Sequence, residues 1–211
     1  TMGDAAGIGP EIIVKALARP EVLEMCRPLV IGDVAIMENR LRFWPGNGAS
    51  GNDAAASVRP TVRRVASPEL VSDVALGDIP VFQPGEALAG VEPGKLSAEG
   101  GRGAVEFVKA ATALARDGRI AGIVAAPLNK EAMHLAGFKY PGHTELLAEE
   151  FGVSTYSLVL SARGMFVFHV TTHVSLRDAL DLITQERVLG QIRLAHLLAE
   201  ALDQGDAEIA V

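Results

Sequence analysis

The 211-residue sequence has a single cysteine, no long hydrophobic run and no cluster of basic residues. One cysteine excludes a disulfide within the chain and favours a cytoplasmic protein, and we expect Cys26 to be a buried, inert thiol. No apolar stretch approaches the roughly 20 residues that span a bilayer, so we expect neither a membrane span nor a signal peptide. The net charge of -7 argues against binding to nucleic acid or to an anionic membrane.

Strand and helix patterns alternate along the chain, which predicts an α/β fold. Gly9-Pro10-Glu11 predicts the start of a first helix, and Ser97 predicts the cap of a helix of about 20 residues. Apolar spacing predicts a last helix from about Thr184 to Leu202. Short apolar runs predict buried strands at Leu29–Ile31, Ile79–Phe82 and Ile120–Ala126.

The later part of the chain has a different pattern. Two β-rich runs, SLVLSA and MFVFHVTTH, flank Arg163-Gly164 and predict a β-hairpin, so the sheet should be mixed. Residues 45–59 have a loop-like composition. We predict a domain boundary near residue 125, giving domains 1–124 and 125–211. Because the chain opens inside a loop and closes at the start of a strand, we expect both domains to be incomplete and the chain to be truncated at both ends.

A glycine-rich segment, Gly3 to Glu11, precedes the first helix. Glycines at such a position let the backbone approach a ligand, and free N–H groups there suit an anion. The segment lacks the Gly-Lys-Ser/Thr of a P-loop, and Ile12 stands where a dinucleotide fingerprint has its third glycine. A tight strand-to-helix turn explains the glycines equally well.

Two further segments carry polar residues beside predicted element ends. Asn129 and Lys130 follow a predicted strand, and α/β sheets bind ligands at the carboxyl ends of strands. His143 and Thr144 follow a Pro-Gly turn at a predicted helix start, where they could hydrogen-bond a carboxylate or phosphate. The alternatives are that Lys130 is an ordinary surface lysine, that Thr144 only caps the helix and that His143 is a solvated loop residue.

The segment HVTTH contains two histidines four positions apart. Its β-branched residues favour a strand, on which His169 and His173 would be about 13 Å apart and unable to bind one metal ion. His173, at the predicted strand end, is the better ligand candidate, and His169 should be packed or support the site indirectly. We expect His134 and His196 to be structural.

Four segments, GDAAGIGPEI, APLNKEAMHLAG, YPGHTELLAE and TTHVSLRDAL, occur in an order and spacing that resemble the 4-hydroxythreonine-4-phosphate dehydrogenase family. The resemblance covers nearly the whole chain. It implies a fold like that of isocitrate and isopropylmalate dehydrogenases, with a mixed sheet layered by helices, two α/β domains around a cleft, and a homodimer.

The resemblance also implies roles for individual residues. His143 and Thr144 would bind a small phosphorylated substrate, and we add the hypothesis that Lys130 contacts its anionic groups. His173 would bind a divalent metal (Zn, Mg, Co, Ni, Mn or Fe), whose other ligands are expected beyond Val211 together with most residues that bind NAD or NADP. We therefore assign no cofactor-binding residue within the chain and expect these 211 residues alone to lack turnover, since one histidine rarely holds a catalytic metal.

The implied activity is the oxidation, with decarboxylation, of 4-hydroxythreonine 4-phosphate, as in pyridoxal phosphate biosynthesis. The sequence has Ala5 where the family usually has proline. HVTTH, IGPEIIVKAL and APLNKEA are closer to the branch that acts on 4-phospho-D-threonate or 4-phospho-D-erythronate, which is the alternative. Two other classes compete: a non-catalytic ligand-binding module, and a metal-dependent hydrolase with Asp178 as its base.

Overall fold

The computed structural model describes residues 1–44 and 59–211. These residues form two compact units, Thr1–Phe151 and Gly152–Val211. Residues 125–151 pack with the first unit, and the predicted domains 1–124 and 125–211 stay a prediction. The loop predicted at 45–59 lies, apart from its last residue, outside the described residues.

The first unit combines short strands with helices. Its helices are α1 (Gly9–Leu17), α2 (Pro20–Met25), α3 (Val34–Arg40), α4 (Ala98–Arg116), α5 (Lys130–Leu135) and α6 (His143–Phe151). Its strands are β1 (Val30–Ile31), β2 (Val62–Val65) and β3 (Ile79–Phe82). Short 3-10 helices span Leu41–Phe43 and Pro68–Asp73. The α/β prediction is therefore confirmed.

The three strands form a parallel sheet in the order β1-β3-β2. Two extended segments continue it beyond β1: the N–H of Met2 donates to the carbonyl of Ile31 at 2.9 Å, and that of Ala126 to Thr1 at 3.1 Å. The prediction of a buried strand at 120–126 is wrong, since this backbone forms no regular strand and Val124 is exposed. The neighbouring extended segment begins at Thr1, which hydrogen-bonds to Val124 and Ala126, so residues 120–123 have no strand to pair with among the described residues.

Helix α4 begins where Ser97 was predicted to cap it. The Ser97 hydroxyl accepts a hydrogen bond from the N–H of Gly100 at 3.0 Å, which satisfies one of the free donors of the first turn. At Gly101 a Cβ would overlap the carbonyl of Ala132. Glycine at this position therefore lets α4 and α5 pack with their backbones in contact.

Helix α4 also separates two hydrophobic clusters. On one side Phe107 belongs to a cluster with sheet residues such as Ile31 and Val81. On the other side Val108 packs in a second cluster with Leu146 of α6 and with α5. The segments that precede α5 and α6 are thus anchored to the same long helix that covers the sheet.

The second unit contains the predicted hairpin. Strands β4 (Val159–Ala162) and β5 (Met165–Phe168) pair antiparallel, and Arg163 and Gly164 at the turn both have positive φ, 50° and 81°, as type I′ turns require. Helices α7 (Leu176–Leu182) and α8 (Gln185–Ala201) follow, with Thr184 capping α8. The antiparallel pair is a separate two-stranded sheet rather than part of the parallel one.

Two predictions need correction. Cys26 is exposed, not buried, because it ends α2, a helix with no buried residue. The strand predicted through His173 ends at Phe168, because its partner strand begins only at Val159 and the chain then turns toward α7. None of the helices in residues 1–44 and 59–211 combines the length and apolar character that a membrane span requires.

Candidate functional site

The glycine-rich loop lies against residues 126–127. Gly3 has φ +68°, and a Cβ there would overlap the Pro127 carbonyl, to which the N–H of Asp4 donates at 2.9 Å. A Cβ at Gly9 would overlap the Met2 carbonyl. Backbone packing therefore accounts for two of the glycines, in agreement with the turn interpretation, while anion binding at this loop stays a prediction.

Asp4 is buried within this loop. Its Oδ1 accepts a hydrogen bond from the N–H of Ala6 at 3.0 Å and lies close to the first turn of α4, since a Cβ on Gly100 would be 2.8 Å from it. The positive end of a helix dipole stabilises a nearby carboxylate. The start of α4 thus supports a negative charge at Asp4.

His143 is the first residue of α6, as predicted. Its Nε2 is buried and has no hydrogen-bond partner among the described residues. Burial lowers the pKa of the ring below its usual value, although a hydrogen bond to the backbone of Ala126 opposes the shift. The alternative of a solvated loop residue does not hold, because His143 belongs to α6 and its Nε2 is buried. The lowered pKa favours the neutral form of the ring.

Thr144 and Lys130 have different surroundings. Thr144 is half-buried next to His143 in the first turn of α6. Lys130 is exposed at the first position of α5 and forms no ion pair with the residues that the structure describes. Asn129 caps α5, its Oδ1 accepting from the N–H of Ala132 at 3.1 Å, so its side chain serves the helix start.

Polar contacts hold α6 and the turn before it. The Tyr140 hydroxyl donates to Glu149 Oε1 at 2.9 Å, which raises the pKa of Tyr140. Lys109 of α4 forms a 3.0 Å ion pair with Glu150. These contacts join the segment before the Pro-Gly turn to α6, and α6 to α4.

His173 lies in the second unit, between β5 and α7. It is exposed and has φ +57°, a left-handed backbone conformation that costs roughly 1–2 kcal/mol for a residue with a Cβ. Next to it Ser175 caps α7, accepting from the N–H of Asp178 at 3.2 Å and donating to the Asp178 carboxylate at 2.7 Å. A strained backbone persists where other interactions impose it, and this is often at functional positions.

The remaining histidines have local contacts. Nδ1 of His169 lies 2.9 Å from the Leu158 carbonyl, where its backbone N–H also donates, so His169 closes the hairpin. Nε2 of His134 lies 3.4 Å from the carbonyl of Tyr140. Nε2 of His196 lies 3.5 Å from Glu200 one turn away on α8. These contacts agree with the structural roles expected for His134 and His196.

The described residues do not form a complete metal site. No group of three or more His, Cys, Asp or Glu side chains within 1–44 and 59–211 is arranged to hold a metal ion. The chain therefore offers His173 as one exposed imidazole and fits a divalent cation only if ligands from elsewhere complete the site.

Three of the four predicted segments come together in the first unit, namely the glycine-rich loop, residues 126–130 and the start of α6. The sequence predictions assign no role to Asp4, which is buried in this region. The sequence feature that could have drawn attention to Asp4 is the dipeptide Gly-Asp, which follows two extended segments, at Gly3-Asp4 and at Gly32-Asp33.

Comparisons with known proteins show where the chain belongs. A family model described as pyridoxal phosphate biosynthetic protein PdxA matches residues 24–211. A D-threonate 4-phosphate dehydrogenase of Bordetella bronchiseptica is 50% identical over all of this chain and 57% of its own length. One of Cupriavidus necator is 42% identical over 93% of this chain and 55% of its own length. The chain thus spans little more than half the length of these relatives.

Solved structures give the same picture. A 4-hydroxythreonine-4-phosphate dehydrogenase from Burkholderia phymatum matches with a TM-score of 0.77 at 39% identity, over 91% of this chain and 54% of that one. A putative enzyme of the same name from Salmonella typhimurium matches with a TM-score of 0.76 at 40% identity, over 94% and 58%. The resemblance predicted from four motifs is confirmed, while the two-domain cleft stays a prediction.

Proposed function

The chain belongs to the PdxA family, and from this premise we propose that it is part of a metal-dependent, NAD- or NADP-linked dehydrogenase of a phosphorylated four-carbon hydroxy acid. The family match supports the enzyme class, and the names of the relatives support the substrate class. Because the chain spans 57% of the Bordetella relative, the activity is proposed for a protein of the relatives' full length, as a cytoplasmic homodimer.

The observation that carries the proposal is the buried Nε2 of His143, which has no hydrogen-bond partner among the described residues. Leaving a buried polar atom without a partner costs about 1–3 kcal/mol, so a ligand that hydrogen-bonds to it recovers that cost. We infer that His143 binds the substrate. Thr144 adds a hydroxyl in the same helix turn, where backbone N–H groups favour anionic groups.

Lys130 has a more peripheral role in this proposal. Its exposed ammonium stands at the start of α5, four residues after Ala126, whose backbone hydrogen-bonds to His143. A cation at this position attracts the phosphate or carboxylate of an approaching substrate, and long-range attraction of this kind weakens as salt screens it.

His173 supplies one imidazole to a divalent-cation site in this proposal, and residues outside these 211 supply the other ligands. The exposure of the ring leaves it accessible to such ligands. A bound divalent cation acts as a Lewis acid that favours ionisation of the substrate hydroxyl. The capping bonds between Ser175 and Asp178 hold the chain on the far side of His173 and so limit the motion of its backbone.

The proposed reaction oxidises the secondary alcohol at C3 of the substrate. The hydride on C3 goes to the nicotinamide ring and the hydroxyl proton to solvent, which leaves a ketone β to the carboxylate. That β-keto acid then loses CO2. His143 and Thr144 orient the polar groups of the substrate, so that the C3 hydrogen faces the hydride acceptor.

Two substrates fit this chemistry. 4-Hydroxythreonine 4-phosphate, the first candidate, is named for the solved relatives and has an amino group at C2. D-threonate 4-phosphate, the alternative, has a hydroxyl at C2 and is named for the relatives at 50% and 42% identity. The higher identity of these relatives favours testing the alternative beside the first candidate.

The test is an absorbance assay of NADH or NADPH formation by the full-length protein with each substrate. We expect turnover with at least one substrate, loss of turnover after chelation of divalent metal and recovery when metal is restored. The proposal is contradicted if neither substrate yields NADH or NADPH in the presence of metal. A ligand-binding module would bind a substrate without producing reduced cofactor, so equilibrium binding in the same samples separates the two classes.

A further inference from the structure

Two Gly-Asp pairs lie side by side at one edge of the sheet. Gly3-Asp4 follows the extended segment at the start of the chain, and Gly32-Asp33 follows β1. The two segments are neighbours, since Met2 donates to the carbonyl of Ile31. Both residues are buried, with exposed fractions of 7% for Asp4 and 1% for Asp33. The two pairs differ in the hydrogen bonds that their carboxylates accept.

Both carboxylate oxygens of Asp33 accept hydrogen bonds from within the protein. Its Oδ1 accepts from the N–H of Ile36 at 2.9 Å and caps α3. Its Oδ2 accepts from the N–H of Leu88 at 2.8 Å, in the chain that connects β3 to α4. A buried carboxylate with a donor on each oxygen is compensated for its loss of water. Asp33 is thus a structural link.

Only one of the two carboxylate oxygens of Asp4 accepts a hydrogen bond from the described residues. Its Oδ1 accepts from Ala6, but Oδ2 has no hydrogen-bond donor among the residues that the structure describes. This second oxygen lies beside Gly7, where a Cβ would be 3.7 Å from it. Oδ2 is not one of the fully buried side-chain atoms that lack a partner, so this one oxygen of an otherwise buried residue is accessible. The absence of a side chain at Gly7 leaves the space next to it open to a ligand.

We propose that Oδ2 of Asp4 accepts a hydrogen bond from a hydroxyl group of a bound ligand. This rests on the proposed function, in which the hydroxy-acid substrate and the ribose of the nicotinamide dinucleotide both carry hydroxyls. An ionised carboxylate only accepts hydrogen bonds, so it suits a hydroxyl and repels a phosphate. Asp4 is therefore a specificity residue that selects the uncharged part of its ligand.

The position of Asp4 connects it with the site already described. Its N–H donates to the Pro127 carbonyl, and the neighbouring Ala126 hydrogen-bonds to His143. Asp4 and His143 are thus fixed to the same two-residue segment.

The first test is Asp4→Asn in the full-length protein, with Asp33→Asn as the matched control. Asparagine keeps the oxygen that accepts from Ala6 and replaces Oδ2 by a donor. We expect KM or Kd to rise at least about tenfold for one ligand, as for loss of a hydrogen bond to a charged group, with little change in Tm. Asp33→Asn should lower Tm and leave KM unchanged.

Separate titrations identify the source of the hydroxyl. A rise in Kd for NADH alone, measured by nicotinamide fluorescence, assigns Oδ2 to the ribose. A rise in KM confined to the hydroxy acid, with NAD saturating, assigns it to the substrate. Either result supports the proposal.

A second variant covers the case in which Asp4→Asn does not fold. Gly7→Ala keeps the carboxylate and places a methyl group 3.7 Å from Oδ2, which shields the oxygen from a ligand. We expect the same ligand to bind more weakly. If wild type turns over and neither folded variant changes any Kd or KM, the inference on Asp4 is wrong while the proposed function stands. If wild type neither binds nor reacts, both fail together.

Discussion

The two units of the chain differ most in what they bury. The first contains side chains with no exposure at all, among them Met2, Val81 and Leu146. The second, all of whose residues the structure describes, has none that is buried. Its apolar side chains, such as Phe166 of β5 and Ile192 of α8, line an open groove instead.

The difference separates the local interactions that define helices and hairpins from the burial that packs them together. Hairpin turn, helix caps and backbone hydrogen bonds shape the second unit, whereas the first unit also gains about 25 cal/mol for each Å² of apolar surface buried. Each unit carries one of the predicted site histidines, His143 in the packed unit and His173 in the open one. Substitutions in the two units should therefore have different consequences.

The largest effect is expected at His173 in the open unit. His173→Gly relieves the positive φ, so we expect unchanged or slightly higher stability but a loss of metal-dependent turnover of more than about a hundredfold in the full-length enzyme. Asp203→Gly is the matched control, since Asp203 is exposed in the same unit with φ 54°. Metal affinity, measured by titration, and turnover should both change only in His173→Gly. Equal turnover of the two variants would show that His173 does not bind the metal.

The next largest effect compares two glycines. Gly3→Ala places a methyl group against the Pro127 carbonyl at positive φ, so we expect a loss of about 3 kcal/mol in the free energy of unfolding. Gly164→Ala in the hairpin turn also has positive φ but meets nothing within 4 Å, so its loss should be about 1 kcal/mol. Urea unfolding measures both. Equal losses would contradict the close packing of the glycine-rich loop.

A leucine in each unit tests the difference in burial. Leu146→Ala empties a site in the second cluster of the first unit, where the side chain has no exposure, and should cost about 2–5 kcal/mol. Leu197→Ala on α8, where the side chain is 58% exposed, should cost less than about 0.5 kcal/mol. The measurement is the shift in the denaturant midpoint at constant slope. A small loss at Leu146 would contradict the complete burial of its side chain.

The smallest effect is the pH dependence contributed by His143. Burial depresses its pKa in the folded protein, so below about pH 6.5 the unfolded chain binds a proton that the folded ring does not. The contribution of His143 to stability is therefore complete above that pH and decreases as the pH falls toward the folded pKa. His143→Gln should flatten the acid side of the stability curve, measured by urea unfolding at a series of pH values. An NMR titration that gives His143 an ordinary pKa would contradict the burial.

Local signals predicted much of the fold. The cap Ser97, the start of the last helix at about Thr184, the hairpin turn Arg163-Gly164 and the start of α6 at His143 were all predicted correctly. In each case the determining interactions lie within a few residues along the chain. The prediction at 120–126 failed because a strand needs a partner, and an apolar run does not say how long its partner is.

The sequence by itself determined the helix starts, the hairpin and, through four motifs, the family. Only the tertiary structure decided that both carboxylate oxygens of Asp33 accept hydrogen bonds while only one of Asp4 does. The same structure decided that the Nε2 of His143 is buried without a partner among the described residues. It also decided that Cys26 is exposed. The physical reason is that capping and turn formation depend on neighbours in the chain, whereas burial and the completion of hydrogen bonds depend on which distant segments meet.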